Sequence, residues 1–548
     1  MKNLTEKRIL ILLSGALGAI LIAIYLISPP IKQAQESYLP CTNRTVYSNL
    51  DEALKAKDQV CILDLTNSAP TGIPSSIDQL TNLEELYLQN TPLKDLPRSI
   101  GNIGSLKILD LTNTKIQSLP NSISNLIHLQ KLRIGQTKIT ALPDQIGDLK
   151  SLQELDLEKT ALTSLPTTIR KLEKLRILNA KQTALTSLPQ QINSLDSLEE
   201  LYLDQSRIES LPSEIDRLRN LKTLSIQQTK ITKLPTQIGE LKNLKQLLAA
   251  DTSLQELPQS IGQAQSLQMI NISKTKVSAL PNEFSRLTNL VELNLSSTGI
   301  ASFPSFQNFQ SLSILNISST SIKEIPQDFQ NLKSLTRLNL SNTAIPLIQR
   351  EIIMLPNLHI LDLSSTAITA LPENIAGAPT TILNINNTAV KQLPRAIGDV
   401  SNLDILSMNL TQLESIPPEI GKLTRLFELY ANNAKLTSVP KEIGGLTSLK
   451  RLSLSGNNIH YLPEEIGNLR SLDYLDISNN PLVYLPSTTG NLEKLLSLFI
   501  DNTKITTLPA NFTNLKKLGL LFISNTPLTD YDKNLLREKF SSTSIQGL

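Results

Sequence analysis

From Leu63 to Leu521 a leucine or isoleucine returns at almost every twenty-third position. The series opens Leu63, Leu86, Leu109, Leu132 and closes Leu452, Leu475, Leu498, Leu521, which makes 21 copies of one unit. A sustained period of this length replaces the reading of a 548-residue chain as several domains with one long array. Each unit opens on a short strand, turns, meets a Leu-Pro step such as Leu119-Pro120, and returns through an Ile-Gly-x-Leu segment. The leucines and isoleucines of one coil are expected to point inward, and no single coil can bury them. Stacking does so, at roughly 1.5–3 kcal/mol for each fully buried side chain, so stability is shared along the array. The predicted fold class is an α/β solenoid, with a parallel β-sheet on the concave face and short helical or irregular segments on the convex face. Strands about 4.8 Å apart give an inner edge on the order of 100 Å long. Aromatic residues are 4% of the chain and tryptophan is absent, as suits small, leucine-filled cores repeated many times.

The amino terminus is of another kind. Lys2, Lys7 and Arg8 precede an uncharged run, Ile9 to Ile27, which Pro29 and Pro30 close. At about 1.5 Å per residue a helix of this length matches the ~30 Å hydrocarbon core, and the basic flank is expected to stay in the cytoplasm. The expected organisation is a cytoplasmic tail 1–8, a transmembrane signal-anchor 9–27 and a linker 28–45. A cleaved signal peptide is the alternative, although no A-x-A-like site lies close behind Ile27. Under either reading the remainder is exported, with the repeats facing the periplasm or the extracellular space. Cys41 and Cys61, the two cysteines, bracket a short segment just ahead of the first repeat. In an oxidising compartment two thiols with no nearby histidine favour a disulfide over a zinc site. Closing this ~20-residue loop would contribute roughly 3 kcal/mol. Two unpaired thiols, with Cys61 buried at the first strand, remain the alternative.

The stretch Leu106 to Pro120, "LKILDLTNTKIQSLP", has the L-x-x-L-x-L-x-x-N-x-L form, with Thr114 at the asparagine place. On that signature the segment Cys61 to Thr529 resembles the 23-residue leucine-rich repeats of Ras-suppressor-like and Scribble-like proteins and their bacterial counterparts. "YSNLDEALKAKDQVCILDLTN" resembles the amino-terminal cap of exported bacterial members, with a helix over Leu50 to Lys57. "NTPLTDYDKNLLREKF" resembles their closing helix, over Tyr531 to Phe540, with Asp530 as N-cap. The resemblance implies a cap at 46–60, repeats at 61–529, and a closing helix and tail at 530–548. It implies a recognition scaffold and leaves the ligand open, because such folds serve adhesion, immune recognition, scaffolding and effector proteins alike.

Threonine holds the asparagine place in sixteen of the 21 repeats; Ser68, Ser206, Ala434, Asn457 and Asn480 hold the rest. In the family this side chain bonds backbone groups of its own and neighbouring coils. A hydroxyl both donates and accepts, and buried turn backbone cannot be left unpaired. The threonines are therefore expected to be scaffold.

Function is then expected on the concave face, where alternate strand side chains emerge. The position after the leading leucine divides into three zones. The first mixes charges of both signs with tyrosines: Tyr87, Arg133, Asp156 and Tyr202, with Lys131, Glu154 and Glu158 beside them. The middle is a run of asparagines, Asn271, Asn294, Asn316 and Asn339, some spelling N-x-S sequons by accident of the repeat. The last carries aromatics: Tyr430, Tyr474 one position along, Phe499 and Phe522. Aromatics on a polar surface offer large contact area at low entropic cost and mark candidate hot spots. Phe522 is expected to pack under the closing helix instead.

Repeats lose a residue before Pro326 and before Pro394, and between them Pro346 and Ile348-Gln349 replace the Leu-Pro step. Outer-face variation and a joint between two arms are both compatible with this. No catalytic constellation is found: His128, His359 and His460 lie in separate repeats, and no cysteine follows Cys61. With 52 basic against 49 acidic residues no nucleic-acid surface is expected, and no metal or cofactor either. The expected activity is recognition of a protein ligand, or secondarily a glycan, by a membrane-anchored exported chain. A secreted host-interaction factor and an intracellular scaffold of the Ras-suppressor type are the alternatives.

Overall fold

A computed structural model describes residues 44–548; the expected anchor at 9–27 and Cys41 lie outside the described residues. Among these no helix is long and apolar enough to cross a membrane. Short strands form one 23-stranded sheet. Each pairs in parallel with the next in chain order, leading leucine against leading leucine, as Leu86↔Leu109 and Leu109↔Leu132 show. Two strands go beyond the repeats. Val46–Tyr47 opens the sheet against Ile62–Leu63, and Ser544–Gln546, read from the sequence as tail, closes it against Leu520–Phe522.

The strands are three residues long because only the central leucine is held by the core. Leu109 is fully buried, and so is Leu111 as the chain enters the turn. One residue per repeat, the one before the threonine, then takes positive φ, from Asn67 through Asn525, with Gly456 in the remaining coil. Asparagine tolerates this left-handed conformation better than most residues. On the convex side the Leu-Pro step starts a 3-10 turn such as Arg98–Asn102, with Pro97 as N-cap at φ −67°. The Pro97 carbonyl accepts from the Ile100 N–H at 3.1 Å. The glycine that follows has a steric reason: a Cβ on Gly101 would fall 2.2 Å from the Ser122 carbonyl of the next coil. Asn193 stands at that place in its repeat, buried, with neither amide atom bonded.

The threonines are scaffold, with one difference from expectation. Thr114 Oγ1 donates to the Leu111 carbonyl at 2.8 Å, inside its own coil, and the same bond recurs at Thr137, Thr160 and Thr183. The asparagines do what was expected of the whole column. Asn457 donates to Ala431 of the previous coil at 2.8 Å and accepts from the Leu436 N–H at 3.2 Å. A hydroxyl is too short to span two coils in most repeats, so main-chain bonds such as Lys115 N–H to Leu93 carbonyl, 2.8 Å, make that link.

The sheet runs in register through both shortened repeats, Asn294↔Asn316 and Asp362↔Asn384. At the first, the 3-10 turn is lost and bulk replaces it: Phe284, Phe303, Phe306, Phe309 and Phe329 fill the space with ring centroids 4.4–6.0 Å apart. At the second, Gly377 at φ +75° donates to the Asp399 carbonyl at 3.0 Å. The irregularity is confined to the outer face.

Helix α1, Leu50–Lys55, is capped by Asn49, whose side chain accepts from the Asp51 and Glu52 N–H groups. It ends earlier than the expected Lys57, giving way to a 3-10 turn at Lys57–Gln59. A short helix α2, Arg350–Ile353, replaces the 3-10 turn after the displaced proline. The closing helix α3 spans Asp530–Lys539, and its N-cap is Thr529, not Asp530. Thr529 Oγ1 accepts from the Asp532 N–H at 3.2 Å, while Asp530 lies in the first turn, where a negative charge meets the positive helix end.

Candidate functional site: the concave face

Each strand sends two side chains outward, one on either side of the buried leucine. Sequence reasoning followed the second and assigned the first, where it is isoleucine, to the core. Ile108, Ile177, Ile314, Ile360, Ile382 and Ile405 are instead half-buried on the sheet face, and Ile360, Ile382 and Ile405 stand side by side. The signal was available: in a three-residue strand both neighbours of an inward residue must point out.

The first zone is closed on itself. Arg133 Nε donates to Glu154 at 2.8 Å while its Nη1 lies 3.5 Å from buried Asp110, and Lys131 approaches Glu154 at 3.7 Å. Asp156 accepts from the Glu158 N–H at 3.0 Å and from Asn179 at 2.9 Å; burial, with Glu158 and Glu154 nearby, raises its carboxyl above the usual range. Tyr87 and Tyr202 each donate to the glutamate two residues back on the same strand, Glu85 at 2.7 Å and Glu200 at 2.8 Å. Burial and those carboxylates push both phenols up. Lys181 lies over the Tyr202 ring at 4.2 Å and pairs with Asp204 at 3.5 Å.

In the middle zone each asparagine folds back on its own chain. Asn271, Asn294, Asn316 and Asn339 accept from the N–H two residues on, at 2.9–3.1 Å. The sequon asparagines Asn271 and Asn294 are buried, which disfavours modification there.

The last zone splits the residues grouped by sequence. Tyr430 repeats the tyrosine–glutamate pattern, donating to Glu428 at 3.0 Å; burial, then Glu428, pushes its phenol up to about 12. One strand intervenes before Tyr474. From there a ladder of rings runs along the sheet: Tyr474 to Phe499 at 5.1 Å, then Phe499 to Phe522 at 4.7 Å, stacked. Phe522 is thus on the concave face and not under the closing helix. The ring beneath that helix is Phe512, 5.5 Å from Phe540. A second aromatic group, His460, Tyr461 and Tyr484, lies exposed beyond the turns at 6.3 and 5.4 Å. Comparing the fourth residue after each threonine place would have revealed its two tyrosines, since serine, threonine or a charged residue is common there.

The model of the leucine-rich repeat region matches residues 54–138, 121–206, 247–338, 382–457 and 449–538, more than half of the chain. The chain belongs to the leucine-rich repeat family. A search of curated proteins returned no significant match. Among solved structures it is similar to the plant peptide hormone receptor RGFR1 in complex with RGF2, at 25% identity and TM-score 0.65, covering 91% of this chain and 93% of the receptor. YopM of Yersinia enterocolitica aligns at 22% identity and TM-score 0.63, covering 83% and 94% respectively. A leucine-rich repeat protein of Leptospira interrogans shares 26% identity over 92% of this chain and 100% of its own, at TM-score 0.49.

Proposed function

We propose that this chain is an exported recognition protein, anchored by residues 9–27, that captures a protein ligand on its concave face. The observation that carries this reading is the Tyr474–Phe499–Phe522 ladder, a run of three rings on the strand face that the closing helix leaves uncovered. Apolar rings left half-open on a polar sheet gain most when a partner buries them. The similarity to a plant receptor whose structure contains RGF2 supports a peptide or protein ligand over a glycan. Cys61 is buried at the first coil and no free cysteine occurs among the described residues; a bridge to Cys41 suits an oxidising exterior.

Site-specific photo-crosslinking on intact cells tests the reading. A crosslinker placed at Phe499 should yield a discrete adduct, and one placed at Lys516 on the convex side should not. Identical adducts from both positions, or adducts from Phe499 only after lysis, would sink it.

A further inference from the structure

On the concave face of the last three coils two outward carboxylates, Asp476 and Asp501, stand without a cation, whereas most of those in the first zone are paired. Asp476 is register partner of Phe499 on the adjoining strand. Asp501 lies two residues beyond Phe499 and emerges on the same side, because Ile500 between them is buried. Neither aspartate forms an ion pair among the described residues, whereas Glu84, Glu85, Asp110, Glu154 and Asp204 of the first zone all do. Hydrogen bonds hold Asp476 in place, from the Ser478 N–H at 3.1 Å, Ser478 Oγ at 2.7 Å and Ser453 at 3.3 Å. Burial, with Asp476 nearby, raises the Asp501 carboxyl above its ordinary value. The remaining outward positions of these coils are Tyr474, Ser478, Ser497, Leu520, Phe522 and Ser524, so the face carries two negative charges and no positive one. The cations of the preceding coil are engaged elsewhere: Arg451 pairs with Glu428 at 3.9 Å and Lys450 covers Phe427 at 4.6 Å.

A ring flanked by two uncompensated carboxylates suits one kind of side chain. Resting on the concave-face reading above, we propose that this surface receives an arginine of the protein ligand, its apolar stem lying along the open edge of the ring ladder at Phe499 and its guanidinium forked toward Asp476 and Asp501. The stem covers apolar ring surface while the planar fork of N–H donors meets two carboxylates at once, a combination that lysine's compact ammonium does not reproduce. Residues flanking the arginine cover Tyr474, Phe522 and Leu520.

Panning a random heptapeptide phage library on the full chain in detergent tests this. Arginine should be enriched several-fold among the selected peptides. The Asp476→Asn, Asp501→Asn double variant should bind the best of them at least tenfold more weakly, and lysine in place of its arginine should lose a similar factor. The replacements are mild, since asparagine occupies the equivalent places at Asn271 and Asn386, and Asn271 accepts the same bond from the N–H two residues on that Asp476 accepts. Selected peptides without arginine, bound equally by the double variant but lost on Phe499→Ser, would overturn the arginine and leave the concave-face reading standing. Equal binding of arginine and lysine peptides would also overturn it. Peptides indifferent to Phe499→Ser, or a library that yields no binder, would overturn both.

Discussion

The first zone and the last three coils are built on one backbone and present opposite surfaces. Around Arg133, Asp110 and Glu154 find their cation within the sheet, Asp156 is held by hydrogen bonds, and the tyrosines are tied to glutamates on their own strands. Around Phe499 the rings stack on one another and two aspartates stand without a cation. A repeat fold separates what a residue does for the coil from what it offers outside, because the inward and outward positions alternate along each strand. Surface chemistry can then drift from zone to zone at no cost to the core, and the zone left unsatisfied is the one to examine for a ligand.

If that separation is real, the largest effects should be the same in both zones. Leu132→Ala and Leu498→Ala each remove a fully buried leucine from an identical place in the coil, and each should cost about 2–5 kcal/mol by the lost burial and the cavity left behind. Chemical denaturation with a probe in each zone would measure this. A loss confined to one zone would show that the two do not share a core of equal quality.

Outward substitutions should separate the zones. Arg133→Ala leaves buried Asp110 without its cation and the half-buried Glu154 with only the longer contact to Lys131; because Arg133 itself is partly exposed, the cost should be about 1–2 kcal/mol of stability, with ligand binding unchanged. Phe499→Ser should do the reverse, weakening binding by roughly 2 kcal/mol or more, as loss of a central ring does at other interfaces, with melting altered little. Paired melting and binding titrations check both halves. Loss of binding in Arg133→Ala would move the site toward the first zone.

Acid should also divide them, with opposite signs. The Arg176 side-chain hydrogen bond, with further help from Lys222, lowers the Glu199 carboxyl from 4.5 to about 2. Its folded pKa lies below the unfolded one, so its contribution is complete above pH 4.5 and is lost as the pH falls toward 2. Asp501 is raised by burial. There the folded chain binds the proton more readily, so the burial cost present at neutral pH is relieved on acidification. Intrinsic-rate-corrected hydrogen exchange should show amides near Glu199 opening more easily in acid and those near Asp501 less so. Asp156, also raised by burial, is the internal control within the first zone. A uniform response along the chain would remove the electrostatic part of the comparison.

Much of the fold was legible because one constraint, the burial of a leucine in every coil, writes itself into the sequence with a fixed period. What it does not constrain was read less well. The isoleucines before Leu361, Leu383 and Leu406 look like core by composition, yet geometry puts them outside. The terminal strand Ser544–Gln546 lacks the leucine signature, since an edge coil needs to bury only one side. Phe522 was assigned to the closing helix by nearness in sequence, but the strand register places it on Phe499. Within the site, the residue types were read and their pairing was not. The Glu-Leu-Tyr triplet that ties Tyr87, Tyr202 and Tyr430 to their glutamates was there to be read, and it sets them apart from Tyr474, which precedes its leucine and whose hydroxyl forms no hydrogen bond among the described residues.

The smallest expected effect lies between the two zones, at Leu410. It occupies the left-handed turn position at φ +56° and is 53% exposed, so it gains little from burial. Asparagine serves that place in many other coils, including Asn387 and Asn433 on either side. A branched apolar side chain in this conformation is strained by about 1 kcal/mol relative to asparagine, so Leu410→Asn should raise stability by up to that amount. If melting rises and binding is untouched, Leu410 is tolerated strain on a scaffold with stability to spare. If binding falls while melting rises, the strain is kept for contact, and the recognition surface extends from the aromatic ladder toward Ile405, making the contrast between two zones a gradient along the sheet.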